Sequence, residues 1–170
     1  MRRTTKTVKS EDEMFAFATS FVNALKAQKS LSSPLRAKGC GSKLTASVVV
    51  GLTGELGAGK TTFTKGVAKA LGVHETVTSP TFVIMKFYKL MRQPWKHLVH
   101  VDAYRLESPE ELRALGWDEI ARDSANLIVI EWAEKVRPLL PRGYHSVSFK
   151  CTGEGARRVG KTGGHEDGGA

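Results

Sequence analysis

The first strongly periodic segment of the chain begins at residue 10 and predicts an amphipathic helix. Ser10 and Glu13 have the spacing of a capping box, in which each side chain satisfies a backbone N–H of the other residue. Apolar residues then recur at helical intervals, at Met14, Ala18, Phe21, Val22 and Leu25. The pattern therefore predicts a helix from about residue 11 to residue 28, with one buried face.

Two short segments, residues 48–52 and 127–130, are apolar throughout. This pattern is typical of strands that are buried on both faces of a parallel sheet. Between them, after a glycine-rich turn, residues 60–71 predict a helix that ends at Gly72. Residues 145–151 alternate between apolar and polar side chains, which predicts a further strand at the rim of the sheet.

The segment from residue 81 to residue 116 predicts a hairpin followed by a short helix. Residues 81–90 and 98–101 have the pattern of two strands, and the turn between them contains Pro94. Ser108 and Glu111 form a second capping box, with proline at the first helical position and a stop near Gly116. Together the elements predict an α/β fold: a mostly parallel sheet with an antiparallel hairpin, flanked by helices.

Composition bounds the class of protein. The chain has 170 residues, of which 41% are apolar and 25% charged, as expected for one globular domain with a buried core. No apolar stretch approaches the roughly 18 residues that a membrane span needs. Cys40 and Cys151 are too few for a disulfide framework, so we expect a reducing, cytoplasmic environment.

The net charge of +9 is concentrated at the two ends of the chain. Residues 1–43 carry 9 basic against 3 acidic side chains and residues 135–170 carry 7 against 3, whereas residues 44–134 carry 10 against 11. We therefore predict a flexible basic N-terminus at 1–9, a folded domain at 10–152 with an exposed loop at about 29–43, and a Gly-rich, poorly ordered C-terminus at 153–170. Such ends are either solvated or make weak, salt-dependent contacts with RNA phosphates.

Residues 54–61 carry the clearest chemical signal, because they match the phosphate-binding pattern G-x-x-x-x-G-K-[ST] between a strand and a helix. Glycines allow backbone N–H groups to turn toward phosphates, and the helix that follows adds unpaired donors and a positive dipole end. Lys60 supplies a positive charge for the β- and γ-phosphates, and Thr61 supplies a hydroxyl for Mg²⁺. The predicted sheet is therefore of the P-loop NTPase-like kind.

Two carboxylates end predicted strands and complete the candidate site. Asp102 follows residues 98–101, and Glu131 follows residues 127–130. Both are expected at the carboxyl edge of the sheet, where open α/β folds bind ligands and where a metal ion or a water molecule could be held. Spacing leaves open which of the two touches Mg²⁺, and either could instead be a strand-end carboxylate in a salt bridge.

Two other features near these motifs have more than one interpretation. Ser79 and Thr81 flank Pro80, and their hydroxyls could respond to a γ-phosphate as a switch segment does or could belong to an ordinary turn. Trp132 follows Glu131 directly and is either a core aromatic or a residue at the rim of the site. The histidines have no metal-ligand spacing, which disfavours a histidine metal site.

In this order and spacing, four blocks of sequence resemble the TsaE (YjeE) family, the small ATPases of bacterial tRNA threonylcarbamoyladenosine synthesis. The blocks are residues 54–63, 78–82, 101–106 and 130–132, and the resemblance extends over about residues 10–149. It implies a small P-loop domain that hydrolyses ATP with Mg²⁺ and acts with TsaD and TsaB, so that any link to tRNA is mainly indirect. Of these blocks, the P-loop alone is shared by many families.

The resemblance also implies roles for particular residues. Thr61 and Glu131 match the metal site, and Asp102 matches a metal-linked or water-orienting carboxylate. Ser79 and Thr81 match a switch-like loop, and Trp132 matches the rim of the active site. Phosphate contacts are implied for Gly57, Ala58, Gly59, Lys60, Thr61 and Thr62, and a place near the adenine for Ser10 and Glu11.

Three features depart from the family pattern: the long segment 29–43, Ala133 where proline is common, and a glycine-rich ending after Val159. The last two concern partner docking and the C-terminal edge, not the nucleotide site. Two other functions remain open. A small-molecule P-loop kinase begins with the same loop but usually needs an arginine-bearing lid. A non-hydrolysing, nucleotide-dependent scaffold would not need the full set of Lys60, Thr61, Asp102 and Glu131.

Overall fold

The computed structural model describes residues 4–31, 46–153 and 156–162. Over these ranges the strands are β1 Thr4–Val8, β2 Val48–Gly54, β3 Met85–Lys89, β4 His97–Asp102, β5 Asn126–Glu131, β6 His145–Cys151 and β7 Arg157–Thr162. The helices are α1 Glu11–Leu31, α2 Lys60–Ala70, α3 Pro109–Ala114 and α4 Trp117–Arg122, followed by a 3₁₀ helix at Ala133–Leu139. None of the helices described is both long and apolar enough to cross a membrane.

The seven described strands form one sheet in the order β1-β7-β6-β2-β5-β4-β3. The pairs β6–β2, β2–β5 and β5–β4 are parallel, whereas β3 pairs with β4, and β7 with both β6 and β1, in antiparallel fashion. Five strands therefore run in one direction and two in the other. The predicted α/β fold with flanking helices and an antiparallel hairpin is confirmed. The sheet is mixed rather than mostly parallel, with three parallel and three antiparallel pairs, because β7 and β1 add an antiparallel edge.

Two apolar layers lie on opposite faces of the sheet. Helices α1 and α2 cover one face, where they pack on alternate residues of the strands such as Leu52, Val129 and Phe149. Helices α3 and α4 and the 3₁₀ helix cover the other face of β2, β5 and β4, against Val49, Ile128 and Ile130. Because every residue of β5 is buried, this strand has the continuous apolar pattern that the sequence showed.

The prediction that both termini are flexible or poorly ordered is wrong for the terminal residues that the structure describes. Thr4–Val8, expected in a flexible N-terminus, forms β1. Arg157–Thr162 forms β7 within the C-terminus that was expected to be poorly ordered, where residues 157–159 give the sequence's one indication of a further strand. Each strand has few apolar residues but buries one valine, Val8 or Val159, and pairs along its length with a neighbour. As a result β6 lies between β2 and β7 and is not at the rim.

Other predicted bounds need smaller corrections. Helix α1 continues through residues 29–31, the first part of the predicted loop, and residues 32–43 of that loop lie outside the described part of the chain. The first hairpin strand begins at Met85 and not at residue 81, because Pro80 accepts hydrogen bonds from the N–H groups of Val83 and Ile84 and forms a turn. Helix α4 had no prediction. The capping box of Ser108 and Glu111 is present.

Candidate functional site

The glycine-rich loop between β2 and α2 needs glycine for steric reasons. At Gly54, with φ 137°, a Cβ atom would lie 2.3 Å from the carbonyl oxygen of Phe149. At Gly59, with φ 101°, it would lie 3.0 Å from Arg157 Cδ and 3.2 Å from Met14 Cε. A side chain at Gly54 would combine an unfavourable backbone conformation with a clash against backbone. At Gly59 the backbone conformation is the main obstacle, because the two neighbouring atoms belong to flexible side chains. The loop thus has the compact shape that its motif predicts.

Lys60 is the first residue of α2, and its side chain is almost fully buried within the loop. Its Nζ donates to the carbonyl oxygens of Gly54 at 2.6 Å and Glu55 at 2.8 Å. The same atom lies 3.7 Å from the ring centroid of Trp132. Burial lowers the pKa of Lys60 below its ordinary value, and nearby carboxylates, chiefly Glu131, oppose this shift. The loop therefore holds a desolvated amine at the position where the motif requires a phosphate-binding cation.

Glu131 ends β5 as a buried carboxylate with two side-chain contacts. Its Oε2 accepts a hydrogen bond of 2.8 Å from the Thr61 hydroxyl, and its Oε1 lies 2.8 Å from Nε2 of the fully buried His100. The bond to Thr61 joins the end of β5 to the first turn of α2. Hydroxyl and carboxylate oxygens are ligands that Mg²⁺ prefers.

Asp102 ends β4 directly beside Glu131 in the parallel ladder. Its Oδ2 accepts hydrogen bonds from Ser79 and from Thr81, the latter at 2.6 Å. Its Oδ1 accepts from the backbone N–H of Tyr104 at 3.0 Å. The segment 79–81 is therefore tied to a carboxylate of the candidate site, and it is more than a turn before a strand.

These side chains surround one open cavity of about 340 Å³ at the carboxyl edge of the sheet. Its lining consists of Leu56, Gly57, Gly59, Lys60, Thr61, Thr62, Ser79, Thr81, Asp102, Tyr104, Glu131 and Trp132. Trp132 is partly buried, and its φ of 59° turns the chain from β5 into the 3₁₀ helix. Of the two positions that the sequence allowed for Trp132, core aromatic or rim residue, the structure therefore favours the rim of the cavity.

Three predicted site residues do not line this cavity. Ala58 is buried inside the loop. Ser10 and Glu11 lie at the start of α1, where the Ser10 hydroxyl accepts a hydrogen bond from the N–H of Glu13 and caps the helix. The same helix brings Met14 against Gly59, so the start of α1 is next to the loop while these two side chains are outside the lining.

Sequence reasoning missed two residues close to the site. The sequence argues against a histidine metal site and gives His100 no other role, but strand alternation places His100 on the same face as Asp102, and the structure pairs it with Glu131. Arg157 lies against Gly59 of the loop, although it is distant in sequence. The alternation in β4 was a usable signal for His100, whereas no local pattern predicts the position of Arg157.

The oxygen donors of the site fit a magnesium ion that is partly held by phosphates. Within the described residues, no group of three His, Cys, Asp or Glu side chains could hold a metal by itself. Mg²⁺ is commonly bound through one or two carboxylates together with substrate phosphates and water. Thr61 and Glu131 offer a hydroxyl and a carboxylate that are already in contact, which is the donor set such an ion uses.

The parallel central strands, the glycine-rich loop before α2 and the carboxylates at the strand ends define a P-loop NTPase-like α/β protein. The family model described as "Threonylcarbamoyl adenosine biosynthesis protein TsaE" matches residues 8–159. The chain belongs to the TsaE family, which confirms the resemblance found in its motifs.

Individual relatives agree with this assignment. A tRNA threonylcarbamoyladenosine biosynthesis protein TsaE from Bacillus subtilis is 40% identical over 122 residues, which cover 69% of this chain and 73% of the relative. The TsaE protein of Streptomyces coelicolor is 49% identical over 92 residues, 54% of this chain and 60% of the relative. A crystal structure of Bacillus subtilis YdiB superimposes with a TM-score of 0.66 at 26% identity, and covers 96% of this chain and 87% of that chain.

Proposed function

We propose that this chain is a Mg²⁺-dependent ATPase that supports threonylcarbamoyladenosine modification of tRNA in the cytoplasm, through a complex with TsaD- and TsaB-type proteins. One observation carries the ATPase proposal. The Thr61 hydroxyl donates a hydrogen bond to the Glu131 carboxylate, and both groups line the same cavity as the Lys60 amine. The loop motif, the hydroxyl and the strand-end carboxylate are three parts of one catalytic arrangement for phosphoryl transfer. Family membership supports the tRNA-modification role.

The loop binds ATP through its backbone N–H groups and through Lys60. On binding, the amine exchanges its two bonds to the carbonyl oxygens of Gly54 and Glu55 for the β- and γ-phosphates. Thr61 and Glu131 would hold Mg²⁺, which would supply positive charge to offset the negative charge of the phosphates. The buried position of Lys60 strengthens its attraction for phosphate, because few water molecules compete for the amine.

Asp102 positions the attacking water and connects it to the segment 79–81. Hydrolysis forms a bond between the water oxygen and the γ-phosphorus and breaks the bond between the γ-phosphorus and the β–γ bridging oxygen. The proton that the water gives up passes to the released phosphate, so the products are ADP and inorganic phosphate. Ser79 and Thr81 both donate hydrogen bonds to Oδ2 of Asp102. A movement of this carboxylate when the water reacts would therefore also move the segment 79–81. The segment thereby acts as a switch that differs between the ATP and ADP states.

Exposed apolar side chains around the site support a protein partner. Phe82, next to Thr81, is 84% exposed, and Leu56 on the glycine-rich loop is 76% exposed. Tyr104 is also exposed and lines the cavity. Large apolar side chains grouped on a surface mark sites of protein association. TsaD- and TsaB-type proteins would therefore contact the face on which the nucleotide binds.

A phosphate-release assay tests the ATPase. We expect Mg²⁺-dependent hydrolysis of ATP by the chain, at a rate changed by TsaD and TsaB. The Lys60→Ala variant should lose activity, because it lacks the amine placed by the loop, whereas Lys65→Ala, which removes an exposed lysine of α2, should not. Wild-type hydrolysis by Lys60→Ala under controlled magnesium would contradict the proposed site.

The same assay separates the two other functions. A small-molecule kinase would release little inorganic phosphate without an acceptor molecule and would not respond to TsaD and TsaB. A non-hydrolysing scaffold would bind ATP, and this binding would depend on Lys60, but it would release no phosphate in any combination. Either result would contradict the proposed ATPase while leaving the family assignment intact.

A further inference from the structure

A second groove, of about 830 Å³, lies outside the nucleotide cavity on the half of the sheet formed by β6, β7 and β1. Alternate residues of these strands, including Phe149, Val159 and Val8, are buried beneath α1 and α2. The intervening residues face the opposite side, and the apolar layer of α3, α4 and the 3₁₀ helix includes no residue of these three strands. The groove is lined by Thr5, Gly54, Glu55, Ser148, Phe149, Lys150, Arg158 and Gly160.

Two positive charges meet at this groove, and neither has an ion-pair partner among the residues that the structure describes. Lys150 and Arg158 lie directly opposite each other in the antiparallel β6–β7 ladder, and both side chains are exposed. Like charges in this position destabilise a sheet. Neither side chain forms an ion pair within the described ranges, and Glu55 is the one acidic residue in the groove lining. A bound anion would relieve the repulsion between the two cations.

The remaining chemistry of the groove suits a phosphate backbone. Thr5 and Ser148 line it with hydroxyl groups, and Gly160 forms part of its floor, where a Cβ would lie 2.9 Å from Ser148 Oγ. Lysine, arginine, serine and threonine are among the side chains that contact nucleic-acid phosphates. The ring of Phe149 packs on Phe63 in the core and offers no surface for stacking a base. Such a lining binds a backbone without selecting a base sequence.

We propose that this groove binds the phosphodiester backbone of RNA, through Lys150 and Arg158 and the adjacent hydroxyl groups. The proposal rests on the proposed function, which makes tRNA the RNA that the chain meets. The groove is distinct from the nucleotide cavity but borders it, because Gly54 and Glu55 belong both to the groove lining and to the glycine-rich loop. RNA in the groove would therefore lie next to the loop that binds ATP.

The test measures binding of fluorescently labelled tRNA by anisotropy at several salt concentrations. It compares the wild type with the double variant Lys150→Gln/Arg158→Gln and with the control Lys65→Gln/Lys89→Gln, which removes two exposed lysines elsewhere. We expect the groove variant to bind about tenfold more weakly, and its log–log salt dependence to fall by about 0.7–0.9 for each phosphate that it no longer neutralises. The control should retain wild-type affinity within about twofold.

Three results would overturn the proposal. Equal losses of affinity in both variants would mean that net charge alone attracts RNA, and unchanged binding by the groove variant would place the RNA elsewhere. Loss of affinity for a TsaD and TsaB complex with tRNA binding intact would make the groove a protein-docking site. Thermal unfolding is the folding control, and the groove variant should unfold no earlier than the wild type, because it lacks the like-charge pair.

Phosphate release by the same variants separates this proposal from the proposed function. The groove variant should hydrolyse ATP like the wild type, because neither substituted residue lines the nucleotide cavity. Groove-dependent tRNA binding in a chain that hydrolyses no ATP would leave the groove standing and contradict the ATPase. Normal ATP hydrolysis by a wild-type chain that does not bind tRNA would support the ATPase and contradict the proposed RNA-binding groove.

Discussion

Glu131 is the residue on which the proposed metal site of this chain depends, since its carboxylate lies between Thr61 and His100 and is 2% exposed. We predict that Glu131→Gln retains the fold but raises the Mg²⁺ concentration needed for half-maximal ATP hydrolysis. The rise should exceed the about 10–100-fold effect of losing an outer-shell partner, because a hard cation loses a charged ligand. Glu134→Gln, at an exposed position nearby, is the matched control. An unchanged magnesium requirement would move the metal role to Asp102.

His100 contacts the other carboxylate oxygen of Glu131. We predict that replacing His100 lowers the free energy of unfolding more than it lowers the rate of ATP hydrolysis. His100→Leu leaves a buried carboxylate oxygen without its hydrogen-bond donor, a change that costs about 1–3 kcal/mol. His100→Gln keeps an N–H donor on a side chain of similar reach and should recover part of this loss. Urea unfolding of both variants measures the difference. Equal free energies of unfolding for the leucine and glutamine variants would show that the contact contributes little.

The secondary-structure elements differ in how well the sequence predicts them, and burial explains the difference. The strands β2 and β5 and the helix α1 are predictable because their own residues are apolar in a regular pattern. Strands β1 and β7 carry one buried valine each, and their pairing in the sheet depends on residues far away in the chain. Propensity within a short window holds no information about such a partner.

The residues of the candidate site also differ in how well the sequence predicts them, according to whether their position depends on local pattern or on distant parts of the chain. The loop, Asp102 and Glu131 were predictable because strand ends of a parallel sheet meet at one edge. The contact of Arg157 with Gly59 was not, because it requires β7 to be present and paired in register with β6. The hydrogen bonds of Ser79 and Thr81 to Asp102 likewise depend on the turn after Pro80, which the sequence alone left open.

Strand β6 gives the fold a pH dependence through its first residue. Burial lowers the pKa of His145 below its ordinary value of 6.5, and the charge of Lys161 lowers it further. The unfolded chain therefore binds a proton more readily than the folded one, so stability is retained above pH 6.5 and lost as the pH falls below that value. We predict that His145→Gln flattens this loss, measured by urea unfolding between about pH 7.5 and pH 5.

The control for this prediction is His74→Gln, which removes an exposed histidine after α2. It should unfold with the pH dependence of the wild type. If His145→Gln and the wild type lost stability equally over the acid range, other groups would account for the pH dependence, and the half-buried His145 would contribute nothing to it.

Over the molecule as a whole, the two proposed functions occupy neighbouring surfaces of one sheet. The carboxyl edge of the parallel strands holds the nucleotide cavity, with exposed apolar residues around it. The β6–β7–β1 half holds the basic groove, and the two regions meet at Gly54 and Glu55. The affinity for the protein partners should therefore depend on the bound nucleotide. A higher salt concentration should mainly weaken the binding of RNA in the groove.

Calorimetric titration of the chain into a TsaD and TsaB complex is the decisive test of the proposed nucleotide-dependent switch. The titrations use a non-hydrolysable ATP analogue, ADP and no nucleotide, each at low and high salt, with Lys60→Ala as the nucleotide-blind control. A switch acts only through contacts that differ between its states, so we predict affinities that follow the nucleotide, persist at high salt and become equal in Lys60→Ala. Equal wild-type affinities in all three states, or no binding to the pair, would contradict the proposed switch even if ATP is hydrolysed.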